Sequence, residues 1–192
     1  MADPILFAIV LAAGRSLRFG STKQLAPYSG RPLVARAMSE AESVCGRHSV
    51  LVAGNEWRNV SAACEQLQGF LVVNTAFRDG LSTSIRAGIA SVAGAADAVL
   101  LMLGDQPLIT GAHLQALVDR WRESPESIVA SAYAETLGPP VIFPRYCYPE
   151  LAALSGDRGA KSVINANIDK VVRVDCAAAA VDIDRPEDLE SI

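Results

Sequence analysis

Residues 5–25 read ILFAIVLAAGRSLRFGSTKQL, an unbroken apolar run that gives way at Gly14 to small residues and cations. The apolar run from Ile5 to Leu11 suits a strand covered on both faces, as in a parallel sheet. A long loop follows, because the next helical pattern opens only near Pro32. In open α/β sheets ligands bind outside the carboxyl ends of the strands, so this loop is where a ligand is expected. Its small residues let backbone N–H groups come close to phosphate oxygens or a base edge. Arg15, Arg18 and Lys23 add positive charge to the loop of a chain whose net charge is −4. That combination points to a polyphosphate. Two familiar phosphate-binding loops are excluded by spacing: the Gly-Lys-Ser/Thr ending of a P-loop is missing, and Gly14 and Gly20 do not form G-x-G-x-x-G.

Working outward, apolar runs alternate with helical patterns. Leu33, Val34, Ala37, Met38 and Ala41 recur at helical spacing after Pro32. Ser49–Ala53 predicts a strand, 57–67 a helix, Phe70–Val73 a strand, and Ser82–Val92 a helix opened by Ser/Thr caps. Ala98–Leu103 predicts a fourth strand and 112–123 a helix. Ser127–Tyr133 and Val141–Phe143 predict two strands joined through a Gly138-Pro139-Pro140 turn. Short helices near 148–154 and 160–167, strands near 170–174 and 180–183, and a helical turn from Pro186 complete the chain. This rhythm predicts a mostly parallel sheet with helices on both faces.

The chain has 192 residues, 51% of them hydrophobic, which suits one domain spanning 1–192. No apolar run reaches the roughly 18–20 residues that cross a bilayer, and Ile5–Ala13 lacks the basic leader of a signal peptide. No membrane partner is expected. Nor is nucleic acid, since no Lys/Arg run tracks a phosphate backbone. Cys45, Cys64, Cys147 and Cys176 show no Cys-x-x-Cys spacing and are expected to be reduced thiols of a cytoplasmic protein. With only His48 and His113 present, a multi-histidine metal site is excluded by counting.

Further strand endings carry chemistry. Leu103-Gly104-Asp105-Gln106-Pro107 places a carboxylate where a Mg²⁺ ligand for a nucleotide is expected, although Asp before Gln-Pro also suits a turn. In Val181-Asp182-Ile183-Asp184, a strand would put Asp182 and Asp184 on one face. If both strands join one sheet, Asp105 and Asp184 could share a metal; Asp184 also suits an N-cap before Pro186. Gly80-Leu81-Ser82-Thr83-Ser84 offers hydroxyls and free N–H groups to an anion or base edge. Ser155-Gly156-Asp157-Arg158-Gly159-Ala160-Lys161 is a second glycine-rich charged turn that could hold a second, acceptor substrate.

In order along the chain stand L-A-A-G-x-S-x-R-F-G-x-x-K-Q-L, G-L-S-T-S-I-R-A-G-I, G-D-Q-P, G-x-P-V-I-F, G-D-R-G-A and V-D-I-D-x-P-E-D-L. Taken together they resemble the MobA-like nucleotidyltransferases, in particular the molybdenum cofactor cytidylyltransferases, from Ile5 to Leu189. Pro139 stands where that pattern leads one to expect a polar residue, often His. The resemblance implies a Rossmann-like three-layer sandwich of the nucleotide-diphospho-sugar transferase type, and Mg²⁺-dependent transfer of a nucleotidyl group to a terminal phosphate. It implies that Leu11, Ala12, Ala13, Gly14 and Arg15 hold the nucleotide, with Gly80, Ser82 and Ser84 helping to select the base. Arg18 and Lys23 would bind the triphosphate, and Asp105, with Asp184, the Mg²⁺. Gly156, Asp157 and Gly159 would face a molybdopterin acceptor. A recipient molybdoenzyme or its chaperone is a further partner the resemblance implies. Ala12-Ala13-Gly14 resembles the CTP-using type, whereas relatives that use GTP carry Leu-Ala-Gly-Gly.

Other readings keep parts of this pattern. A GTP-using enzyme keeps the acceptor and changes the base. An isoprenoid-precursor or sugar-phosphate enzyme keeps the chemistry, but the Gly-Asp-Arg-Gly-Ala loop is not its pattern. A nicotinamide-dependent oxidoreductase lacks its fingerprint here. A non-catalytic protein that holds the molybdenum cofactor needs neither Lys23 nor Asp105.

Overall fold

The computed structural model describes residues 3–64, 66 and 68–192. Its frame is a seven-stranded sheet made of β1 (Leu6–Ala12), β4 (Ser49–Ala53), β5 (Phe70–Val73), β6 (Ala98–Leu103), β7 (Ile128–Tyr133), β8 (Thr136–Pro144) and β9 (Val171–Asp175), in the order β5-β4-β1-β6-β8-β7-β9. Every neighbouring pair is parallel except those made by β8, which runs antiparallel between β6 and β7. A two-stranded ribbon, β2 (Pro27–Tyr28) with β3 (Arg31–Pro32), folds back within the long loop after β1.

β1 lies inside the sheet, between β4 and β6, because its residues are apolar on both faces. Phe7, Ile9 and Leu11 pack with Val50, Val52, Ile85 and Ile89 on one side. Ala8, Val10 and Ala12 pack with Val34, Met38, Leu114 and Leu117 on the other. Helices α3 (Leu81–Val92), α5 (Tyr148–Ala152) and α6 (Lys161–Ala166) cover the first face. Helices α1 (Leu33–Cys45), α2 (Trp57–Ala62) and α4 (Gly111–Glu123) cover the second. The result is the expected three-layer α/β sandwich with a mostly parallel sheet, and a short α7 (Pro186–Glu190) follows the last strand.

Four details differ from the sequence reading. α2 is described only to Ala62, and Leu67 of the expected helix lies outside the described residues. The turn between β7 and β8 is Ala134-Glu135, both at positive φ (44° and 59°), while Gly138, Pro139 and Pro140 lie inside β8. Prolines fit there because the β7–β8 register slips between Ala130 and Ser131, a bulge at which the ladder needs no N–H from them. Ser131 Oγ donates instead to the Pro140 carbonyl at 2.7 Å. The expected strand at 180–183 is not formed: Ala177–Ala180 is a 3₁₀ turn, and 181–185 run irregularly past the end of β6. Ile183 N–H donates to the Asp105 carbonyl at 3.0 Å, and the buried Ile183 side chain packs with Ala26 and Leu33, so this segment is anchored without joining the sheet. Finally, α3 is not capped by a hydroxyl: Gly80 is its N-cap residue, and Ser82 N–H donates to the Gly156 carbonyl at 3.1 Å.

Candidate functional site

A cleft of about 670 Å³ opens at the carboxyl ends of β1 and β6. The loop after β1 lines it with Ala13, Gly14, Arg15, Ser16, Leu17, Arg18, Lys23 and Gln24, together with Leu11 of β1 itself. Leu103, Gly104 and Asp105 come from the end of β6, and Gly80, Leu81 and Ser84 from the start of α3. Asp157 and Asp184 reach it from the two C-terminal loops. Residues far apart in the chain therefore meet because parallel strands all end on the same edge of the sheet.

At one end of the cleft the contacts are ionic. Lys23 Nζ lies 2.5 Å from Asp105 Oδ2 and 3.1 Å from Asp184 Oδ1, and donates to the Ile183 carbonyl at 2.8 Å. Arg18 reaches Asp184 Oδ2 at 2.8 Å from a more exposed position. Burial pulls the Lys23 amine down, but Asp105 and then Asp184 outweigh it, so its pKa is raised and the ammonium is held. Asp184 thus joins Asp105, as the sequence suggested, although it stands on an irregular segment.

Asp105 Oδ1 is buried and has no hydrogen-bond partner among the described residues. A bare carboxylate oxygen costs free energy unless something coordinates it, so its position fits a divalent cation. Among the described residues no three His, Cys, Asp or Glu side chains cluster as a metal cage. Two carboxylates completed by substrate phosphates is the mode in which Mg²⁺ is usually held.

At the other end the contacts are small and local. Gly80 stands at φ +105°, and a Cβ on it would run into the Gly156 carbonyl and lie 2.8 Å from Asp157 Oδ1. The 155–159 loop is therefore docked on the start of α3, which makes the two glycine-rich turns neighbours. Ser84 Oγ accepts from Asn74 Nδ2 at 3.0 Å. Ala12, Ser82, Gly156 and Gly159 are not among the lining residues: Ala12 and Ser82 are buried, Gly156 is exposed and Gly159 is half-buried.

Three cleft groups were not singled out from the sequence. Gln24 is buried; it donates to the Gly14 carbonyl at 3.3 Å and accepts from Ser16 Oγ at 3.1 Å, which pins the glycine loop. Phe77 and Arg78 line the cleft from the 3₁₀ turn before α3. The K-Q-L ending of the first motif contained the signal for Gln24, whereas nothing in the local pattern marks Phe77.

Parallel strands ending on a cleft that joins a glycine loop, a held ammonium and an unsatisfied carboxylate define a class: α/β proteins built to receive a phosphorylated ligand with a cation. Comparison with known proteins narrows the class. The MobA-like NTP transferase domain matches residues 8–171, and the chain belongs to that family. Purine catabolism protein PucB of Bacillus subtilis (strain 168) is 29% identical over 203 residues, covering 100% of this chain and 98% of PucB. Nicotine blue oxidoreductase of Paenarthrobacter nicotinovorans is 30% identical over 200 residues, covering 97% of this chain and 95% of that protein. The crystal structure of Rv0371c from Mycobacterium tuberculosis H37Rv superposes with a TM-score of 0.83 at 30% identity, over 100% of this chain and 98% of that one. Rv0371c has also been crystallised as a complex with manganese, which superposes with a TM-score of 0.82 at 29% identity, over 99% of this chain and 98% of that one. Among the described residues, no helix is long and apolar enough to cross a membrane.

Proposed function

We propose that this protein transfers CMP from CTP to the terminal phosphate of molybdopterin, or of the molybdenum cofactor, with Mg²⁺ as cofactor and pyrophosphate as leaving product. The observation that carries the reading is the Lys23–Asp105–Asp184 constellation with its unsatisfied Asp105 oxygen, set at the foot of the glycine loop. Family membership and the manganese complex of Rv0371c support the metal-dependent nucleotidyl part. The Ala12-Ala13-Gly14 sequence supports CTP over GTP, and the Gly156-Asp157-Gly159 loop beside Gly80 supports an acceptor seated next to the nucleotide.

The residues fit the chemistry. A phosphate monoester is largely ionised near neutral pH, so the acceptor oxygen needs no general base. No His or Cys lines the cleft among the described residues, which suits a reaction whose difficulty is charge and orientation. Lys23 and Arg18 draw the triphosphate to the carboxyl edge of the sheet and hold its charge as the pyrophosphate leaves. Backbone N–H groups around Gly14 and at the start of α3 orient the nucleoside end. Asp105 and Asp184 would hold Mg²⁺, whose charge would offset the negative charge that develops as the pyrophosphate leaves.

The test is release of pyrophosphate from CTP or GTP in the presence of Mg²⁺ and molybdopterin, for the native protein and for Lys23→Ala. Turnover with CTP that Lys23→Ala abolishes supports the proposal. Turnover with GTP alone moves the protein to the guanylyl type. Cofactor retained without turnover by either protein replaces the enzyme with a cofactor-holding role.

A further inference from the structure

Gly54 follows β4, the strand beside β1, and does not itself line the cleft. A Cβ on Gly54 would lie 2.7 Å from Phe77 Cβ, 2.9 Å from Phe77 Cγ and 2.9 Å from Ala13 Cβ. These are the roots of side chains rather than their flexible ends, so a rotamer change does not relieve the crowding. Ala13 and Phe77 belong to different loops, one after β1 and the other before α3, and both line the cleft. Their approach is possible only because residue 54 has no side chain. Ala13 is 3% exposed and closed in from behind, whereas the Phe77 ring is partly open, with the Arg78 guanidinium 5.7 Å from its centroid. Gly80 and Ser84 line the same cleft as Ala13 and Phe77, and Lys23 and Asp105 form its ionic end.

We propose that Gly54, Ala13 and Phe77 form one packed wall that limits the nucleobase to pyrimidine size, with Phe77 as the contacting specificity residue and Gly54 as the positioning residue behind it. The inference rests on the nucleotidyltransferase reading and adds to it which residues outside the glycine loop select the base. The wall is apolar and packed at its side-chain roots, so it acts by shape, and a purine is refused because its second ring would have to displace those side chains. Discrimination by shape in an apolar pocket is worth about 10–200-fold for a methylene-sized difference.

The experiment measures affinities for CTP, GTP and inorganic tripolyphosphate in Mg²⁺, for the native protein, Gly54→Ala, Phe77→Ala and Phe77→Leu. Tripolyphosphate reports the ionic end alone. The native protein should prefer CTP to GTP. Gly54→Ala should weaken CTP about tenfold or more while tripolyphosphate stays within about twofold, as expected of sites without shared contacts. Phe77→Ala should reduce the CTP-to-GTP preference about tenfold, through improved GTP binding, with Phe77→Leu intermediate. If Gly54→Ala does not fold, the two Phe77 variants carry the test. A native protein that selects CTP and variants that keep its CTP-to-GTP ratio would overturn the wall. Tripolyphosphate affinity falling in step with CTP would overturn it too, since the damage would then be general. A native protein that binds tripolyphosphate as tightly as either nucleotide would overturn the nucleotidyltransferase reading, and the wall with it.

Discussion

The two ends of the cleft are built on opposite principles. At the ionic end, charged side chains from separate segments converge on Lys23, whose Nζ lies 2.5 Å from Asp105 and 3.1 Å from Asp184, and Arg18 adds an outer contact to Asp184. At the other end, small residues and backbone dominate, and spacing is set by the absence of atoms at Gly54 and Gly80. Charge is adaptable because long side chains re-aim when a ligand arrives. Shape made by glycine and side-chain roots is not adaptable. Under the proposed function, a site divided in this way would grip the constant polyphosphate by charge and discriminate the variable base by fit.

The largest effect should come from breaking the ionic end. Asp105→Ala removes the unsatisfied oxygen and a partner of Lys23, and should lower nucleotidyl transfer by about 10²–10³-fold or more, judged by the loss of single charge-stabilising groups elsewhere. Single-turnover rates with saturating CTP and Mg²⁺ would show it, and a drop below tenfold would mean that Asp105 is not at the reacting centre. Gly80→Ala should come next. The φ of +105° makes an alanine there cost about 1–3 kcal/mol, and its Cβ pushes the Gly156 loop away. Thermal unfolding should show the loss of stability, and nucleotide and acceptor affinities should fall together. Arg18→Ala is smaller. Its side chain is 71% exposed, so stability should stay within about 0.5 kcal/mol while triphosphate affinity falls modestly and becomes less sensitive to salt.

The smallest effect lies outside the comparison and serves as its control. His113 Nε2 lies 2.8 Å from Ser131 Oγ, whose own hydrogen goes to the Pro140 carbonyl. Burial lowers the His113 pKa, so the unfolded chain takes up a proton before the folded one does. That contribution to stability is present above the unfolded imidazole value of about 6.5 and is lost as pH falls from there through the lowered folded value. A urea titration at several pH values should show this slope in the native protein and a weaker one in His113→Gln, with nucleotide binding unchanged at neutral pH. Lys23 behaves oppositely: its raised pKa places the loss of its ion pairs far above neutrality, so the ionic end should hold throughout that range.

The same division explains what the sequence made legible. β1 and β6 announce themselves as apolar runs, and Lys23 and Asp105 stand out because charged residues at strand ends are conspicuous by type. Asp184 was legible as chemistry but not as structure. Its segment reads as a strand, yet β9 already pairs with β7 and Ile183 finds its anchors in the Asp105 carbonyl and the Ala26–Leu33 core. Pro139 and Pro140 read as a turn because proline usually interrupts a strand, and only the bulge at Ser131, a property of the paired strands, lets them sit within β8. Gly54 and Phe77 were least legible. Their importance lies in which atoms meet across loops, and no local pattern encodes that.

The most direct test of a metal-dependent site with a shape-selective end is thermal unfolding of the native protein with CTP, GTP and tripolyphosphate, each with and without Mg²⁺. A ligand at 100 times its Kd adds about 2.7 kcal/mol to a protein that binds it only when folded, and each kcal/mol raises Tm by roughly 2–4 °C at this size. The expected result is a Mg²⁺-dependent rise ordered CTP above GTP, with tripolyphosphate also needing the metal. Equal shifts for all three ligands, or shifts indifferent to Mg²⁺, would contradict it.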